Sequence, residues 1–159
     1  MNTNERNAAI ELRLIELELR NRTPQHLRHF VDQYYCYKHG IVNRNGGARW
    51  AGIVGRGHVS IEGRRLISDR KNIVKEHMVP IKVISKLLVE LKETGDLTCA
   101  TIAALLDRYV HFATISKNED KKLCDMNLRS EMPPGFGDKG HEYYLCPYSR
   151  YKEAGILLE

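Results

Sequence analysis

Asn72-Ile73-Val74-Lys75-Glu76-His77-Met78-Val79-Pro80, residues 72–80, is the stretch on which the fold turns. Asn72–Lys75 reads as extended chain. Val79-Pro80 forces a turn, because proline confines the residue before it to extended geometry. Beyond the turn, Ile81–Glu93 is predicted to be helical, with Val83, Ile84, Leu87, Leu88 and Leu91 inward. A second stretch mirrors this strand-then-helix pattern. Val110–Ile115 (VHFATI) is a strand by its β-branched and aromatic content. Ser116 and Glu119 then form the Ser-x-x-Glu capping box that opens a helix to about Met126.

Outward from these stretches the pattern is mostly helical. Residues 5–20 are predicted to form a helix with Ile10, Leu14 and Leu17 on one face and Leu12, Ile15 and Leu19 beside it. So wide an apolar stripe must pack on the body of the chain or on a copy of itself, which would make a homodimer. Thr23 as cap and Pro24 at the first position start a second helix that runs toward Lys38 and stops at Gly40. The expected division is an N-terminal helical arm, 1–40, and a body, 41–159. Ile53-Val54 and His58–Ile61 are strand candidates in a glycine-rich segment, and Arg65–Ser68 reads as extended. A helix from Asp96 or Thr98 to about Arg108 turns Ile102, Leu105 and Leu106 inward, and Pro147–Glu153 forms a short one.

Charge is uneven along the chain. The whole protein carries +5, yet Ile41–Lys75 alone carries +6: Arg44, Arg49, Arg56, Arg64, Arg65, Arg70, Lys71 and Lys75 stand against Glu62 and Asp69. Such a cluster fits a phosphate backbone, where Arg and Lys displace condensed counterions. Gly55-Arg56-Gly57 completes no nucleotide-binding pattern. Hydrophobic residues make up 42% and charged residues 28%, the balance of a folded protein rather than a disordered one. No apolar run is long enough to span a membrane. The N-terminus lacks the continuous apolar core of a signal peptide, so a cytoplasmic location is expected. Cys36, Cys99, Cys124 and Cys146 are too widely spaced for a zinc ribbon and are expected to be reduced thiols.

The run Lys75–Pro80, an acid directly before a histidine with proline three after it, resembles the first element of HNH nucleases. His111–Ile115 followed by Ser116–Leu123 is similar to the strand and helix that close the motif. Arg129-Ser130-Glu131-Met132-Pro133, Tyr148-Ser149-Arg150-Tyr151 and Ala154-Gly155-Ile156 resemble the tail of such proteins, so the likeness covers about residues 68–156. It implies an α+β, helix-rich fold around a ββα-metal core, with residues 81–109 as a helical insertion. It also implies metal-dependent cleavage of DNA, duplex in preference to RNA. His77 would be the general base, Glu76 and Asp120 the metal ligands, and Asn118 a secondary ligand. Carboxylate ligands favour magnesium or manganese over zinc. A histidine near its ordinary pKa of about 6.5 suits activation of water, and Arg70 or Lys75 could share the phosphate charge.

Two other classes compete. The helices at 81–93 and 98–109 have the spacing of a helix-turn-helix, although the second offers little beyond Arg108 to read bases. An interaction or inhibitor protein on a decayed nuclease scaffold is the third class, with the N-terminal helix as its docking surface.

Overall fold

The computed structural model describes residues 2–21 and 24–159. Along the chain run α1 (Thr3–Arg20), α2 (Leu27–Lys38), β1 (His58–Val59), α3 (Ile61–Arg65), β2 (Ile73–His77), α4 (Ile81–Glu93), α5 (Cys99–Tyr109), β3 (Phe112–Ser116), α6 (Lys117–Asp125) and α7 (Ser149–Ala154). The fold is α+β and rich in helix. Two compact units are present, 1–53 with 84–110 and 54–83 with 111–159.

In the first unit, α1 packs on both α2 and α5. The N-terminal helices and residues 84–110 therefore share one compact unit. Asn2 and Glu5 form a capping box at the start of α1. The inward seam of α1 is Ala8, Leu12, Ile15 and Leu19, spaced i, i+4, i+7, i+11. Ile10 and Leu17, expected to face inward, are 50% and 63% exposed. Both rows have helical spacing, and the seam through Ile15 and Leu19 is the one that is buried. Ile15, Leu19, Val31, Ile102 and Leu106 are fully buried, each worth about 1.5–3 kcal/mol.

The helix expected at Thr23-Pro24 begins later, at Leu27, and Thr23 itself lies outside the described residues. A carboxylate of α1 supplies what a local cap would have given. Glu18 accepts backbone N–H bonds from Gln25 and from His26, the latter at 2.7 Å. These bonds hold its carboxyl below the ordinary range. At the other end of α2, Asp107 of α5 accepts from the Tyr34 hydroxyl at 2.9 Å and pairs with Lys38.

The second unit is built on a three-stranded sheet in the order β1-β3-β2. β2 and β3 are antiparallel, with Glu76 opposite Ala113 and His77 opposite Phe112. β1 is parallel to β3, with His58 opposite Ala113. α6 follows β3 directly, and the predicted capping box is present between Ser116 and Glu119. One face of the sheet carries Val74, Ala113 and Ile115. On it pack Met78, Leu123 of α6, Tyr151 and Ala154 of α7, Leu128 and Ile156.

Two strand expectations give way here. Trp50–Ile53 is a 3-10 turn, and only His58–Val59 of the next candidate is a strand. Ser60 ends it by capping α3, its side chain accepting from Gly63 N–H at 2.9 Å. Residues 61–65, read partly as strand and partly as extended chain, are thereby helical. The glycine is required: a Cβ at Gly63 would lie 2.7 Å from the Thr114 carbonyl oxygen. Glu119 accepts from the Ser60 hydroxyl at 2.5 Å and from Ser116 N–H at 2.8 Å, which ties the starts of α3 and α6 together.

Candidate functional site

Successive strand residues point to opposite faces of a sheet. Glu76 shares the face of Ala113, under α6 and α7, while His77 shares the opposite face with Phe112. The His77 ring lies 4.5 Å from the Phe112 ring, centre to centre, and is buried. The adjacency that suggested a ligand beside a base thus separates the two side chains across the sheet.

Glu76 is held by α7. Tyr151 donates its hydroxyl to Glu76 Oε1 at 2.5 Å, and the Arg150 guanidinium stands 3.3 Å from Oε2. Arg150 is completely buried. Its Nε donates to the Met78 carbonyl at 2.9 Å, and its Nη atoms donate to the carbonyls of His77 (2.6 Å), Leu128 (2.6 Å) and Arg129 (3.2 Å). A buried cation with every direction of its fork satisfied is a rigid anchor for the end of β2. Burial raises the Glu76 carboxyl above its ordinary 4.5; Arg150 and Tyr151 oppose the shift, and the charge of Asp120 adds to it.

Asp120, on α6, acts on the Glu76 carboxyl through its charge. Its own partner is Arg129, at 3.2 Å. Asn118 does not join them: its amide donates to Glu62 of α3 at 3.1 Å, since residues two apart lie on opposite sides of a helix. The donors at hand for a divalent ion are thus two carboxylates, each facing a guanidinium. Among the described residues no group of three or more His, Cys, Asp or Glu side chains converges as a metal-binding set. This arrangement does not fit magnesium or manganese, which call for several free oxygen ligands.

A second constellation was not anticipated from sequence. His58 opens β1 and His111 immediately precedes β3; their rings are 6.5 Å apart at a 79° interplanar angle. Parallel pairing brings the starts of two strands to the same end of a sheet. Tyr148, just before α7, places its hydroxyl 3.1 Å from His58 Nε2. His58, Ala113 and Glu76 form one row across the three strands, so His58 lies on the face that carries Glu76. All three residues of the cluster are partly open to solvent. Burial, and then the neighbouring His111, lower the pKa of His58. A histidine at the start of each of two strand segments was visible in the sequence; their parallel pairing was not.

The cationic window divides between the units. Arg44 and Arg49 lie exposed in the first. In the second, Arg56, Arg64, Arg65, Arg70 and Lys71 are exposed, and Lys75 is half-buried on β2. Arg64 faces Glu159 at 3.6 Å. The two acids of the window are engaged by amides. Glu62 accepts from Asn118, and Asp69 accepts from Lys71 N–H at 3.2 Å and from the Asn72 side chain at 2.6 Å. The helix at 99–109 buries Ile102, Leu106 and Tyr109, and its exposed Asp107 is taken by α2. It is a packing helix with few groups to offer a DNA groove.

Comparison with protein-family models, with curated proteins and with solved structures returns no match.

Proposed function

We propose that this chain binds nucleic acid through the exposed cations of residues 56–71. One observation carries the reading: Arg56, Arg65, Arg70 and Lys71 project into solvent, while the acids between them, Glu62 and Asp69, are occupied by amide donors. Among the described residues, no ion pair involves these four cations. Their charge is left for a polyanion, and release of its counterions would drive binding. The test is fluorescence anisotropy with labelled duplex DNA and single-stranded RNA over a range of salt. Affinity that falls steeply with salt, and drops when these four residues become alanine, supports the reading. Affinity unchanged by the substitutions removes it.

Metal-dependent cleavage of DNA by an HNH-like centre is the second reading. The charge of Asp120, felt by the Glu76 carboxyl, favours it. Against it stand Arg150 and Arg129 on the two carboxylates and the opposite facing of His77. Plasmid nicking with manganese that vanishes in Asp120→Asn would support it; equal nicking by wild type and Asp120→Asn would end it.

A further inference from the structure

We propose that His58 and His111 form an acid–base pair that cleaves RNA without a metal ion, with Tyr148 positioning His58. The inference rests on the nucleic-acid-binding reading and names its substrate class.

The geometry is that of a pair flanking one phosphodiester. Each catalytic nitrogen must come within about 3 Å of an oxygen on phosphorus. Ring centres 6.5 Å apart put both imidazoles within reach of one phosphate set beside them. The rings are nearly perpendicular, so they address different directions around the bound group. Tyr148 holds Nε2 of His58, which leaves Nδ1 as the nitrogen for substrate. Arg56, two residues away and exposed, is the nearest cation in sequence to share charge on the phosphate. Close packing fixes the backbone here. Gly57 has φ +75°, and a Cβ on it would lie 3.3 Å from the Phe112 carbonyl oxygen.

The step balances with RNA alone. Neutral His58 takes the proton of a 2′-hydroxyl as its oxygen bonds to the adjacent phosphorus. The P–O5′ bond breaks, and protonated His111 gives its proton to the departing 5′-oxygen. The products are a 2′,3′-cyclic phosphate and a 5′-hydroxyl; solvent exchange resets the two imidazoles. His58 is suited to the base role because burial and His111 both favour its neutral form. The groups against it are His111 and Tyr148; Glu159, whose backbone bonds Val59 of the same strand, turns its side chain to Arg64. DNA lacks the nucleophile and is not a substrate.

The experiment uses the full chain with a labelled single-stranded RNA and its all-deoxy counterpart, in EDTA, recording binding and cleavage together. RNA should be cut to cyclic-phosphate ends and DNA left intact, with a bell-shaped dependence of rate on pH. His58→Ala and His111→Ala should each slow cleavage by about 10²–10⁴-fold, far beyond any change in RNA affinity. Tyr148→Phe should move the acidic limb of the profile, which reports His58, and leave the alkaline limb in place. RNA that is bound but not cut, or cut equally by the histidine variants, overturns this inference and leaves the binding reading standing. RNA that is not bound overturns both.

Discussion

The Tyr151 hydroxyl is 2.5 Å from Glu76 Oε1, and the neighbouring Arg150 reaches the other oxygen of the same carboxylate at 3.3 Å. Two consecutive residues of α7 thus close over one strand-end carboxylate, although 74 and 75 positions of sequence separate them from it. The same guanidinium binds four backbone carbonyls, two of them on residues 77 and 78. Such an arrangement anchors the end of β2 to α7.

Arg150→Met should destabilise the protein by about 3–5 kcal/mol, the range for removing one partner of a buried pair. It leaves Glu76 and four carbonyls short of a donor. Urea unfolding followed by circular dichroism measures it. A loss below about 1 kcal/mol would show that water or another donor reaches these groups.

Glu76 should give stability a distinct pH dependence. Its carboxyl is raised above 4.5 in the folded state, mainly by burial. The folded protein then keeps a proton that the unfolded chain has released, so stability falls as pH rises from 4.5 to the raised value and is level above it. Glu76→Gln should lack that fall, whatever its absolute stability. Unfolding free energies measured from about pH 4 to about pH 7 at fixed salt provide the comparison; parallel curves would contradict the expectation.

His77→Ala should act on stability. The imidazole packs on Phe112, on the face of the sheet opposite Glu76. The expected loss is about 1 kcal/mol or more, from the ring pair and its buried area. Thermal melts with activity assays alongside separate the cases. Unchanged stability with abolished metal-dependent nicking would instead return His77 to a catalytic role.

Gly63→Ala should cost about 1–3 kcal/mol, because the added methyl meets the Thr114 carbonyl and the Ser60 hydroxyl, and neither can move cheaply. A lowered melting temperature is the readout. An unchanged one would mean that α3 shifts away from β3 without penalty.

Each alanine substitution among Arg56, Arg65, Arg70 and Lys71 should reduce the slope of log affinity against log salt. The reduction is about 0.9 for duplex DNA and about 0.7 for a single strand, for each phosphate the variant no longer neutralises. Anisotropy titrations across a series of salt concentrations measure this. A slope identical to wild type would mean that the residue neutralises no phosphate.

What the sequence determined alone was local. The capping box of Ser116 and Glu119, the turn at Pro80 and α4 from Ile81 to Glu93 all follow from signals within a few residues and are present, and the strand read at Val110–Ile115 forms at Phe112–Ser116. The cationic window was legible as composition. What only the tertiary structure decided was which side chains meet. Alternation along β2 sends Glu76 and His77 to opposite faces whatever their adjacency. Arg150 and Tyr151 reach Glu76 because α7 packs over the same face, and His58 meets His111 because β1 runs parallel to β3. Pairing direction and helix placement arise from burial of apolar surface summed over distant segments, and no short stretch of chain records that sum.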